Sequence, residues 1–192
     1  MRIIGGSARG RHLAPFRGSD IRPTPDRVRE ALFSILYSHL GSFVGMRVLD
    51  LFAGTGAMAL EALSRGAKSA VLIDQGTPSA RLIPANIRTC GMEKRASFLR
   101  ADVLAALPRL AVEGPFDLVF LDPPYHRGLV MPVLEALANL RIVRPGGIVC
   151  AETDRREAVP ERAGALVLLD RRDYGSTSIH LFSQPTSEET MQ

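Results

Sequence analysis

Apolar positions fall at helical spacing in Val28, Leu32, Ile35, Leu36 and Leu40, then give way to short continuous runs separated by turns. Thr24, Pro25 and Asp26 precede the helical stretch as N-cap, first-position proline and first-turn acid, and Gly41 follows it as a stop. Beyond it, apolar runs at 47–52, 69–73, 97–100, 116–121 and 148–152 predict strands. Amphipathic stretches at 57–65, 79–90, 103–110 and 129–140 alternate with them and predict helices. Pro145, Gly146 and Gly147 predict a turn before the strand at 148–152. Two further strands at 165–169 and 178–182, joined through 171–177, close the pattern without a helix between them. Pro84 falls inside the helix at 79–90, so that helix either kinks there or starts there.

Repeated βα units predict an α/β fold, a mostly parallel sheet with helices on both faces, and the last strand pair predicts an antiparallel addition at one edge. A chain of 192 residues holds one well-packed domain. It is expected over 23–183, after a basic arm or hairpin at 1–22 and before a polar, disordered tail at 184–192. No window approaches the roughly 20 apolar residues of a membrane span, and the opening residues lack the apolar region of a signal peptide. These features predict a cytoplasmic protein. Cys90 and Cys150 form no CxxC, and the four histidines show no metal-ligand spacing, so no metal site is expected.

The net charge of +4 says little until its distribution is read. Arg2, Arg9, Arg11, Arg17, Arg22, Arg27 and Arg29 precede Ala31, against Asp20, Asp26 and Glu30. Arginine suits bidentate phosphate contacts, so Arg2, Arg9, Arg11, Arg17 and Arg22 are candidate nucleic-acid contacts. The alternative for that stretch is a solvated, irregular arm.

Asp50-Leu51-Phe52-Ala53-Gly54-Thr55-Gly56 follows a strand and opens a helix, the context that gives a glycine-rich loop meaning. Gly54 and Gly56 allow a tight turn and close approach to a ligand. Asp50 would repel a pyrophosphate but suits a cationic ligand. The next strand ends at Asp74, 18 residues after Gly56, a spacing at which an acid accepts ribose hydroxyls. With Asp102 and Asp122, four acids close four successive strands, the edge where open α/β sheets bind ligands. Asp122-Pro123-Pro124-Tyr125 follows the buried run FDLVFL, and its two prolines hold an acid and a ring in fixed positions.

DLFAGTG, Asp74, Asp102 and DPPY resemble the motifs of a Rossmann-like class I S-adenosylmethionine-dependent methyltransferase. Arg22-Pro23-Thr24, then DRVREALF at 26–33, with RIIGGSARGR at 2–11 and LEALSRGA at 60–67, resemble one family more narrowly. It is the bacterial guanine-N(2) methyltransferase of 16S ribosomal RNA, and the resemblance runs over 1–183. It implies S-adenosyl-L-methionine as cofactor, with Gly54 and Gly56 beneath its methionine part, Asp50 near its amine and Phe52 among the cofactor-binding residues. It implies Asp74 on the ribose, Asp102 on the adenine amine, and Thr24 with Arg27 closing over the carboxylate. Ala59, Ser34 and Pro84 depart from the family pattern.

A planar base amine is a poor nucleophile, because its lone pair is delocalised into the ring. Asp122 and the Pro123 carbonyl offer acceptors for its N–H groups, and Tyr125 offers a stacking face worth roughly 1–3 kcal/mol. DPPY therefore implies methylation of an exocyclic amine, without choosing guanine, adenine or cytosine. The family resemblance selects guanine N(2) in 16S ribosomal RNA, either free or in the assembling small subunit. The rivals are a DNA adenine-N(6) methyltransferase and a non-catalytic ribosome-assembly factor. A monomer is the default expectation.

Overall fold

A computed structural model describes residues 1–16 and 26–186. They fold into two compact units, 1–100 and 101–192.

The first unit opens with an irregular segment. Arg2 and His12 form an antiparallel bridge around a single helical turn at Gly6–Ala8, and Ile3, Ala8 and Leu13 are buried beneath it. Helix α1 (Asp26–Leu40) buries Arg29, Leu32, Phe33 and Leu36, one face at helical spacing. Gly41 ends it with a left-handed residue whose N–H donates to Tyr37 O at 2.8 Å. Strand β1 (Arg47–Leu51), helix α2 (Ala57–Ser64), strand β2 (Ser69–Ile73), helix α3 (Thr77–Cys90) and strand β3 (Ala96–Leu99) follow. β1 pairs parallel with β2, and β2 with β3, so the carboxyl ends of all three strands point the same way. Val48, Leu49, Leu51, Leu60, Leu63, Leu72, Ile73 and Ile83 are fully buried and form this unit's core.

Pro84 neither starts nor ends α3, which runs continuously past it from Thr77. Pro78 explains the early start, because a proline in the first turn costs no hydrogen bond. Pro84 removes one backbone donor from the helix interior, which the buried Ile83, Asn86, Ile87 and Cys90 around it offset.

The second unit holds helix α4 (Val103–Glu113), strand β4 (Phe116–Leu121), helix α5 (Val130–Asn139) and strands β5 (Val143–Asp154), β6 (Arg162–Ala163), β7 (Leu166–Tyr174) and β8 (Thr177–Ser183). β4 is buried at every position, as a strand covered on both faces must be. It pairs parallel with β5, whereas β5–β8, β8–β7 and β7–β6 are antiparallel.

Two expectations are corrected here. Pro145-Gly146-Gly147 is not a turn before a strand but an irregularity inside β5, where the register jumps from Phe116↔Val143 to Leu118↔Ile148. Arg144 holds it with an ion pair to Asp117 at 2.7 Å, and Gln184 donates to Gly147 O and accepts from Gly146 N. The expected antiparallel pair is present as β7 and β8, and the short β6 extends it. Residues 171–174 are strand rather than connector, because Tyr174↔Thr177 leaves only Gly175 and Ser176 for a tight hairpin turn. Arg171 and Arg172 on that strand pair with Asp173 (3.3 Å) and Asp170 (2.9 Å).

Candidate active site

β1 ends because Phe52 takes a left-handed backbone (φ 61°), which turns the chain away from the strand. Asp50 thus lies one residue inside the strand rather than at its end. The loop then folds back on itself. Ala53 N–H donates to Ile73 O at 2.9 Å, Gly56 N–H to Ala53 O at 2.7 Å, and Gly54 N–H to Asp74 Oδ2 at 2.9 Å. Asp74 Oδ1 accepts Gly76 N–H at 2.7 Å, so one carboxylate ties together the loops after β1 and β2. Gly56 caps α2 at φ 79°, and a Cβ there would stand 2.8 Å from Leu72 Cδ2. Only glycine lets the α2 N-terminus come this close to the sheet.

Asp50 is buried, and its Oδ2 accepts Ala59 N–H at 3.0 Å in the first turn of α2. Burial pushes its carboxyl up to about 8, the Ala59 N–H works against this, and the Asp74 charge adds to it. Near neutral pH the group therefore carries its proton, and a cation placed beside it would favour its ionised form.

The amino-terminal segment is bound to this loop. Glu61, fully buried on α2, accepts Ile4 N–H and Gly5 N–H at 2.8 Å each and pairs with Arg65 at 2.8 Å. Asn86, fully buried on α3, accepts Ala14 N–H at 2.8 Å and donates to Thr55 O at 2.9 Å. The Phe16 ring lies 3.4 Å from where a Gly54 Cβ would stand. Glu61, Asn86 and Phe16 were not singled out from the sequence. Asn86 carried a usable signal, being an isolated polar residue on the apolar face of Ile83, Ile87 and Cys90.

The expected phosphate contacts divide. Arg9 is exposed and makes no ion pair among the described residues. Arg2 is exposed and pairs with Asp26 at 3.5 Å, while Arg11 donates to Thr89 O in the last turn of α3. Arg27 is exposed on the first turn of α1. Its neighbour Arg29 is buried, with Nη2 bonded to Asp26 and to Arg2 O. Arg17, Arg22 and Thr24 lie outside the described residues, as do 187–192 of the expected tail.

In the second unit Asp102 is the N-cap of α4, its Oδ1 accepting Ala105 N–H at 3.0 Å, so it belongs to the helix start rather than to a strand end. At the end of β4, Asp122 is exposed, Pro123 buried and Pro124 exposed. The Tyr125 hydroxyl donates to Glu152 Oε1 at 2.8 Å and lies 3.0 Å from Thr177 Oγ1. Burial raises both the Tyr125 phenol and the Glu152 carboxyl above their ordinary values. Glu152 and Thr177 were also not foreseen as part of this cluster. The pairs Leu121↔Ala151 and Thr177↔Asp154 bring them to it, and the sequence does not reveal those registers.

The parallel βα units, the glycine loop after β1 and the acid that follows β2 define a Rossmann-like class I methyltransferase fold. The solved structure of the candidate methyltransferase yhhF from Escherichia coli superposes with a TM-score of 0.83 at 32% identity, covering 96% of this chain and 98% of that one. The chain belongs to the family described as conserved hypothetical protein 95, which matches residues 1–183. Among its relatives, the candidate rRNA methyltransferase YlbH of Bacillus subtilis is 35% identical over 96% of this chain and 99% of its own length. Ribosomal RNA small subunit methyltransferase D of Escherichia coli K12 is 32% identical over 99% of this chain and 93% of its own.

Proposed function

We propose that this chain transfers the methyl group of S-adenosyl-L-methionine to the exocyclic N(2) amine of a guanine in 16S ribosomal RNA. The observation that carries this reading is the Asp122–Tyr125 turn, an exposed acid and a proline carbonyl beside a ring whose hydroxyl is tied down by Glu152 and Thr177. The relatives that share nearly the whole chain carry ribosomal RNA methyltransferase names, which favours RNA over DNA.

The first unit fits the cofactor. Gly56 turns the loop sharply into α2, the Asp74 carboxylate has lone pairs left for ribose hydroxyls, and buried Asp50 suits an ammonium. Asp102 takes the adenine amine, and Thr24 and Arg27 the carboxylate. When bound, the cofactor supplies a methyl group on a sulfonium. Asp122 and the Pro123 carbonyl accept the two N–H groups of the target amine and draw its lone pair out of conjugation. Tyr125 stacks on the unstacked base and fixes its plane. On transfer of that methyl, with S-adenosylhomocysteine as the leaving product, Asp122 would take the proton released by nitrogen and pass it to solvent. Much of the acceleration is positioning and electrostatics. Arginines of the amino-terminal segment grip neighbouring phosphates. The protein works as a cytoplasmic monomer on 16S RNA or the assembling small subunit.

The test is transfer of labelled methyl to unmodified small subunits, protein-free 16S RNA and unmethylated duplex DNA, followed by digestion to nucleosides. N(2)-methylguanosine is expected, and Asp122→Ala abolishes it while RNA binding persists. Label in methyladenine of DNA overturns the substrate. An Asp122→Ala strain with normal subunit assembly and no methyl mark lost would mark a non-catalytic assembly factor.

A further inference from the structure

We propose that Glu152 reads the target base as guanine by accepting its N1–H. This rests on the guanine-N(2) reading above and adds the residue that selects the base, which Asp122-Pro123-Pro124-Tyr125 does not do alone. Three observations lead to it. First, position: β4 and β5 are parallel and Leu121↔Ala151 is their last paired position, so Glu152 on β5 and Asp122, the first residue beyond β4, each directly follow that pair. Tyr125 of the same turn reaches Glu152 with its hydroxyl at 2.8 Å. Second, occupancy: Oε1 of Glu152 holds the Tyr125 hydroxyl at 2.8 Å, and the Glu152 side chain makes no other hydrogen bond or ion pair among the described residues. One oxygen anchors the stacking ring and the other is left over. Third, surroundings: Glu152 is half-buried, and no cation pairs with it among the described residues.

A half-buried carboxylate with an unspent acceptor has a specific preference among bases. Guanine presents two adjacent donors on its Watson–Crick edge, the N1–H and the N(2) amine. Adenine and cytosine present their amine beside a ring nitrogen that is an acceptor. With the amine held by Asp122 and the Pro123 carbonyl, the neighbouring ring position meets Glu152. A donor there is bound, and an acceptor there faces a carboxylate across a desolvated gap, which is repulsive. The Tyr125 hydroxyl keeps the carboxylate aimed and Thr177 keeps the hydroxyl aimed, so Tyr125 and Thr177 act as positioning residues for this reading.

The experiment uses the whole protein with small-subunit RNA in which the methylated guanine, once mapped, is replaced by 2-aminopurine. That base keeps the 2-amine but turns N1 into an acceptor. The wild type is expected to favour guanine over 2-aminopurine in kcat/KM by roughly 5- to 150-fold. Glu152→Gln, whose amide can donate to N1 and can still accept from Tyr125, is expected to lose most of that preference or invert it. Tyr125→Phe keeps the stacking ring and the carboxylate but removes the hydroxyl that aims it, and is expected to weaken the preference for guanine in part, less than Glu152→Gln does. Cofactor binding by calorimetry reports folding of each variant. An unchanged guanine preference in a folded Glu152→Gln protein overturns the proposal and leaves the methyltransferase reading intact. A wild type that makes no N(2)-methylguanosine overturns both.

Discussion

Asp74 accepts the backbone N–H of Gly54 at 2.9 Å and that of Gly76 at 2.7 Å, joining the turns after two adjacent strands through one side chain. The loop that would cradle a ligand is therefore shaped by the acid expected to bind it. Asp74→Ala should weaken S-adenosyl-L-methionine by about 10- to 150-fold, the worth of a hydrogen bond to a charged group plus a loosened loop. Titration calorimetry measures it, and an affinity within threefold of wild type would remove Asp74 from the site.

Asn86 links Ala14 to Thr55 from a fully buried position. Asn86→Ala leaves the Ala14 N–H and the Thr55 carbonyl without this partner. A loss of about 2–3 kcal/mol in urea unfolding is expected. Hydrogen exchange at the Ala14 amide should accelerate well beyond the change in global stability, since the amino-terminal segment detaches locally. Unchanged protection at Ala14 would show that the segment is held elsewhere.

Burial of Asp50 has a pH signature. Its carboxyl titrates at about 8 in the fold against 3.8 in the open chain, so the folded state binds more protons between those values. Its contribution therefore falls as pH rises across that window, by on the order of 2 kcal/mol between pH 6 and 8. Asp50→Asn should flatten this slope relative to wild type. An ammonium beside Asp50 would ionise it, so cofactor binding near pH 7 should release a proton and tighten towards pH 8. Calorimetry in two buffers of different ionisation enthalpy counts that proton, and a count of zero would separate Asp50 from the ligand amine.

Among the described arginines of residues 1–16, Arg2 pairs with Asp26 and Arg11 donates to Thr89 O, whereas Arg9 is exposed and makes no ion pair among the described residues. Arg9→Ala should lower RNA affinity and reduce the slope of log affinity against log salt by about 0.7–0.9, the share of one phosphate contact. Arg109→Ala is the control, since Arg109 pairs with Glu113 at 3.5 Å on α4, and it should leave the slope unchanged.

Where local chemistry decides, the sequence was legible. The apolar runs at 47–52, 69–73 and 116–121 are those of short buried strands, and the observed strands follow them within a residue. The left-handed Gly56 at the start of α2 and the Gly41 stop follow from what other residues cannot adopt. Local chemistry fails where a distant partner intervenes. Pro145-Gly146-Gly147 reads as a turn, yet Asp117 and Gln184 hold it inside β5. The charged stretch Arg171–Tyr174 reads as a loop, yet alternate ion pairs with Asp170 and Asp173 let it run as an edge-side strand.

The sequence by itself determined the alternation of strands and helices, the acids near the strand ends, the glycine loop and the basic amino-terminal stretch. Each depends on residues close together in the chain, through backbone conformation, periodicity or capping. Only the tertiary structure decided that Asp74 holds the Gly54 amide, that Glu61 and Asn86 seat the amino-terminal segment, and that Glu152 and Thr177 hold Tyr125. Those contacts span 20 to 72 residues and exist only once strand register and helix packing are set. Register is a property of paired strands, so no single stretch of sequence encodes it.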